Sequence, residues 1–141
     1  MKRLILVVLL VNAGCGSATV TNPSSATAPM NLAGSWVGST SSNVAGIGTV
    51  DATITQSGPA LSGVWSVRYT NPIYNNNGTL SGSLLNNTVS LTLSSSIATP
   101  CPYSMTGTLG TATAGRLTIT GTFTTVNCAV PQSGAFTLSR Q

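Results

Sequence analysis

Beyond residue 32 the chain alternates apolar side chains with hydroxyls, amides and glycines, in runs of about ten residues that repeat to the end. Val50, Ala52 and Ile54 mark one such run, and Val89, Leu91 and Leu93 another. A period of two is that of a β-strand with one face buried. The pattern predicts eight strands, over residues 33–40, 48–57, 60–69, 78–86, 88–95, 102–111, 115–125 and 132–140. A five-residue unit, apolar-x-Gly-x-apolar, recurs within them. It appears as Leu32-Ala33-Gly34-Ser35-Trp36, Leu61-Ser62-Gly63-Val64-Trp65, Leu80-Ser81-Gly82-Ser83-Leu84, Met105-Thr106-Gly107-Thr108-Leu109 and Ile119-Thr120-Gly121-Thr122-Phe123. Gln132-Ser133-Gly134-Ala135-Phe136 is a copy with a polar lead. By alternation each glycine shares the buried face with its apolar neighbours. Glycine inside a strand weakens it but lets it bend sharply, which is how closed sheets turn their corners. The expected fold is all-β: an eight-stranded antiparallel up-and-down meander closed into a barrel, with an open β-sandwich as the alternative.

In a meander the connections sort to two ends. Short turns at 57–59, 86–87 and 112–114 gather at one, and longer loops at about 41–47, 70–77, 96–101 and 126–131 gather at the other. Long loops on a rigid scaffold make the second end the candidate mouth. Trp65, Val67, Tyr69 and Tyr103 are expected to face inward, with Tyr69 and Tyr103 near that mouth. They are either core filler or the wall of a small apolar pocket rimmed by phenol hydroxyls. Tyr74 lies in the amide-rich loop Thr70–Asn77, where an exposed ring could stack on a sugar or a partner. Asp51 and Arg68 alternate outward, as do Thr118, Thr120, Thr122 and Thr124.

Composition narrows the chemistry. Only 4% of residues are charged and there is no His; Asp51 is the single acid and Lys2 the single lysine. Neither a Ser-His-Asp triad nor a carboxylate pair can be assembled, so the chain is not expected to be an enzyme. No cofactor or metal site is implied. The scattered arginines Arg68, Arg116 and Arg140 offer no track for a phosphate backbone, which argues against nucleic-acid binding.

The first fifteen residues, MKRLILVVLLVNAGC, break the alternation. Lys2 and Arg3 precede an apolar run from Leu4 to Val11, and Asn12-Ala13-Gly14-Cys15 offers small residues before a cysteine. The segment resembles a bacterial lipoprotein signal, which implies lipidation of Cys15, an envelope location and a membrane partner through the lipid anchor. Gly16 stands where an inner-membrane retention signal would resemble Asp, and the resemblance thus implies the outer membrane. An ordinary secretory signal cleaved after Ala13, giving a secreted or periplasmic protein, is the alternative. The expected organisation is a signal over 1–14, a Ser/Thr/Pro/Ala tether over 15–31 beginning at Cys15, and a barrel over 32–141. In an exported chain Cys101 and Cys128 form an even pair at the mouth end of adjacent strands, and are expected to be disulfide-bonded.

Gly34-Ser35-Trp36 is similar to the Gly-x-Trp opening of lipocalins, and Leu32-Ala33-Gly34-Ser35-Trp36 resembles the opening of avidins. Both are eight-stranded meander barrels, and the resemblance is calycin-like without a named branch. In lipocalins an arginine late in the barrel packs on that tryptophan, which implies a barrel-closing contact between Arg140 and Trp36. Avidin-type biotin sites need several tryptophans and an inward acid, whereas this chain has Trp36, Trp65 and an outward Asp51. The resemblance implies a small apolar or amphipathic ligand at the mouth, held by Trp65, Tyr69, Tyr74 and Tyr103. The alternative is a filled barrel that works through its surface, as a surface component or an inhibitor of an envelope-damaging hydrolase, with its protein partner unidentified.

Overall fold

In the computed structural model, which describes residues 30–97, 101–112 and 114–141, the eight predicted runs become eight strands. These are β1 (Gly34–Ser42), β2 (Gly46–Ser57), β3 (Ala60–Tyr69), β4 (Asn76–Leu85), β5 (Thr88–Ser95), β6 (Tyr103–Thr111), β7 (Leu117–Thr125) and β8 (Ser133–Arg140). Each is antiparallel to the next, and β8 returns to β1, so the sheet closes in simple up-and-down order. The open sandwich is thereby excluded. The signal, Cys15 and the tether as far as residue 29 lie outside the described residues.

Alternation sets the register, because a one-residue slip would turn every apolar side chain to water. Trp36, Ile54, Val89 and Ile119 are almost wholly buried inside, while Ser, Thr and the Asp51–Arg68 ion pair cover the wall. That pair, 3.3 Å apart and largely solvated, adds little stability. The motif glycines all fall on the inner face, as expected. At Gly63, Gly82, Gly121 and Gly134 the carbonyl oxygen of the neighbouring strand occupies the space where a Cβ would project. Gly38 and Gly78, outside the motif, are covered in the same way. Gly34 differs: its φ of +135° suits glycine, and the Arg140 side chain lies over it.

Two connections depart from the expected lengths. The mouth loop expected over 41–47 is only a turn at 43–45, because Ser42 Oγ accepts from the backbone N–H groups of Val44 and Ala45 and lets both strands run further. The closed-end turn expected at 112–114 extends over 112–116, held by a bond from Ala112 N–H to Arg116 O.

The closed end is plugged by the chain that leads into β1. Leu32 is fully buried there, its N–H donating to Gln56 Oε1 (2.6 Å) and its carbonyl accepting from Trp36 Nε1 (2.9 Å). Gln56 Nε2 donates back to Met30 O at 3.1 Å. One side chain thus pins both ends of the plug, and the chain preceding Met30 joins the domain at the closed end.

Candidate functional site

The inward-facing end residues of β1, β2, β3, β5, β6, β7 and β8 surround a cavity of about 40 Å³ beneath the mouth. Trp65, Tyr69 and Tyr103 line it as expected, with Thr40, Met105 and Phe123 among their neighbours. Tyr103 packs edge-on between Trp65 (5.7 Å between ring centroids, 80°) and Phe123 (5.9 Å, 70°). Such T-shaped contacts hold rings in fixed places. Trp65 Nε1 reaches over Gly78 to the carbonyls of Thr79 (3.1 Å) and Ser94 (3.3 Å), which a side chain at position 78 would block. Pockets that enclose organic ligands measure about 300–1,000 Å³, so this barrel is filled by its own side chains.

Thr40 and Tyr69 also line the cavity. Thr40 Oγ1 donates to Ala135 O (3.1 Å) across the β1–β8 seam. Burial pushes the Tyr69 phenol above its ordinary value of 10.0, the neighbouring Tyr103 adds to the rise, and a hydrogen bond with Thr40 opposes it. A phenol that holds its proton more tightly folded than unfolded stabilises the fold fully below pH about 10, and that contribution is lost as pH rises through the folded-state value. Thermal melts from pH 8 to pH 12 should therefore show stability falling above pH about 10, and less steeply in Tyr69→Phe. An unchanged alkaline slope in the variant would place the Tyr69 hydroxyl in water.

Tyr74 does not line this cavity. A short 3-10 turn, Pro72–Tyr74, begins at Asn71, whose Oδ1 accepts from Ile73 N–H at 3.2 Å, and ends with Asn75 N–H donating to Pro72 O at 3.0 Å. This turn folds the Tyr74 ring down against the core and leaves Ile73 outermost, 76% exposed. Tyr74 instead borders a separate groove of about 200 Å³ at the mouth, with Ile97, Tyr103, Val130 and Gln132. Thr40 and Ile73 also belong to the mouth end: Thr40 shares the inward phase of Trp36, although a hydroxyl carries no core signal in the sequence, and Ile73 lies in a loop that alternation does not govern.

Cys101 and Cys128 are disulfide-bonded in the wall of this groove and join the β5–β6 loop to the β7–β8 loop. Tyr103 pairs with Thr125, which leaves the two cysteines within one position of register. Their separation of 27 residues gives a loop whose closure contributes about 3–4 kcal/mol by chain entropy. Replacing both with Ala should lower the urea midpoint by a corresponding amount without altering the β-sheet circular dichroism signal. An unchanged midpoint would mean the two loops are held equally well without the bond.

At the opposite end, Trp36 and Arg140 are register partners across the seam that closes the barrel. The guanidinium, however, lies over Gly34, and Nη1 donates to Asn31 O at 3.0 Å. The ring-stacked contact implied by the lipocalin resemblance is thus replaced by a strap from the end of β8 to the plug. Gly34 leaves a path by which the long side chain reaches a carbonyl outside the barrel. Compared with known proteins, the chain matches no family model and no curated sequence.

Proposed function

We propose that the chain is an exported, lipid-anchored protein of the cell envelope whose calycin-like barrel is a filled, rigid body acting through its surface at the mouth. The observation that carries this reading is the cavity of about 40 Å³, too small for an organic ligand unless Trp65, Tyr69 or Tyr103 moves. Their edge-on packing and the part-buried Trp65 hydrogen bonds oppose such movement. The lipoprotein-like signal ending at Cys15 supports the anchor, and the disulfide suits an oxidising compartment. The hydroxyl-rich outer wall suits water and not lipid, which separates this barrel from those that span membranes. No catalytic group, cofactor or nucleic acid enters this reading.

A second reading, a small apolar ligand at the mouth, draws on the apolar lining of the cavity. One experiment separates them. Cys15→Ser should release the chain from membranes in fractionated cells, and the released protein should neither carry a co-purifying small molecule by native mass spectrometry nor take up apolar fluorescent probes. Probe uptake lost on Tyr103→Ala would establish the ligand reading instead. Unchanged membrane association of Cys15→Ser would overturn the anchor.

A further inference from the structure

Beyond Cys15 the chain carries four charged side chains, Asp51, Arg68, Arg116 and Arg140. Asp51 and Arg68 form the only ion pair among the described residues and offset each other on the wall. The other two stand together at the closed end. Thr118 of β7 lies opposite Ser139 of β8, and continuing that register by one step sets Arg140 opposite Leu117, the neighbour of Arg116. Arg116 is exposed in the turn before β7, and Arg140 is half-buried with its Nη1 on Asn31 O at 3.0 Å. The terminal carboxylate of Gln141 offsets part of this charge but forms an ion pair with neither guanidinium. Like charges on neighbouring strand ends repel, so the two arginines cost the fold some stability and remain open to an anion.

The chain from the anchor enters the domain at the same end. Gln56 holds the carbonyl of Met30 and Arg140 that of Asn31, so the entry point lies beside the arginines. Residues 15–29 span at most about 50 Å, whereas tilted strands of these lengths make a barrel roughly 25–30 Å tall. The length of that segment therefore permits either end of the barrel to face a bilayer. Charge distinguishes the two. Residues 43–45, 70–75, 96–102 and 126–132 at the mouth carry none, and the charge of Arg68 is offset by Asp51. Met30 and Leu85, 42% and 70% exposed, give the closed end apolar surface as well.

We propose that the closed end docks on the anionic headgroups of the membrane that holds the anchor, through the guanidinium groups of Arg116 and Arg140, and so points the mouth away from the bilayer. This rests on the reading of the chain as lipid-anchored, and names the face that meets the lipid. Guanidinium groups donate in pairs to phosphate oxygens. Arg140 uses one of its five N–H donors on Asn31 O, which fixes the group beneath the floor and leaves the others for a phosphate. Each arginine at an anionic surface favours the docked state by roughly fivefold, so the two together give about 25-fold at low salt. Free phosphate shares this chemistry. The entry of the anchored chain beside Arg140 selects the lipid, because it keeps headgroups within reach of the same two side chains.

With Cys101 and Cys128 bonded to each other, the thiol of Cys15 in the chain from that residue onward can be coupled to a maleimide phospholipid. Docking is then read whether or not the cell lipidates Cys15. Hydrogen exchange is compared on vesicles rich in phosphatidylglycerol and on vesicles of phosphatidylcholine. The expected result is that amides of the closed-end turns, residues 57–58, 86–88 and 114–116, exchange at least about fivefold more slowly on the anionic vesicles, while the mouth loops exchange alike on both. Salt at about 0.5 M should abolish the difference. Arg116→Gln should lower the protection about fivefold and Arg116→Lys should keep most of it. The Arg116 side chain makes no ion pair, so both variants should melt with the wild type, which separates loss of docking from loss of the fold. Equal exchange on the two kinds of vesicle, protection undiminished in Arg116→Gln, or protection of the mouth loops in place of the closed end overturns the proposal. So does the same protection of uncoupled Cys15→Ser by inorganic phosphate, since the arginines then hold a soluble anion. A coupled chain that exchanges alike on both lipids sinks the docking and leaves the anchor standing, because the anchor is decided by the release of Cys15→Ser from cell membranes.

Discussion

Trp36→Ala should cost about 3–5 kcal/mol in urea unfolding, a large share of the roughly 5–15 kcal/mol that holds a domain of this kind together. The expected size comes from two losses at one place. The ring is fully buried inside the closed end, on the strand that β8 flanks. Its Nε1 also donates to Leu32 O, the bond that fastens the plug against the barrel floor. Trp36→Phe separates the two. Most of the volume stays, the Leu32 carbonyl loses its donor, and the cost should fall to about 1–3 kcal/mol. In both variants Trp65 is the remaining tryptophan, so its emission reports whether the upper interior stays dry while the floor loosens. A cost below about 1 kcal/mol for Trp36→Ala would mean that the floor can collapse onto the gap, contrary to the packing described.

The barrel itself was legible because its signal is redundant. Eight alternating runs each state which face is buried, and the strands observed differ from those expected by no more than two residues at either end. Alternation also put Trp65, Tyr69 and Tyr103 on the inside and Asp51 and Arg68 on the outside, since direction in a strand follows from parity alone. Parity has no authority in the loops. Whether Ile73 or Tyr74 faces water depends on how Asn71 and Asn75 cap one short turn, and the spacing of apolar residues does not record that. The length of the first mouth loop depended in the same way on the Ser42 hydroxyl. Arg140 reached the plug because Gly34 left room, a relation between residues 106 positions apart that only the closed seam creates. The interior volume was out of reach for a different reason. It is a small remainder after large side chains are packed against each other, and the same residues could leave 40 Å³ or several times that.

Gly38→Ala should be at least as damaging as the loss of Trp36, although it adds one methyl group. Gly38 lies on β1 opposite Leu138 of β8, and a Cβ there would collide with the backbone oxygen of Thr137. On the partner strand the relation is reciprocated, with Gly134 covered by the carbonyl of Ser41. These two positions let β1 and β8 draw together along the seam where the first and last strands meet. Backbone on both sides would have to part by more than an ångström to admit the methyl. The hydrogen bonds of the seam cannot stretch so far and remain bonds. The strain therefore falls on closure itself, at about 3 kcal/mol or more, and a seam that opens exposes two strand edges. Hydrogen exchange should then show β1 and β8 losing protection ahead of β3 to β6. Gly46→Ala provides the contrast. That residue sits at φ +77° with nothing within 4 Å, so the same methyl meets open space and costs only about 1 kcal/mol for the backbone conformation. Equal effects at the two sites would mean that Gly38 serves the chain's conformational freedom and not the approach of β1 and β8.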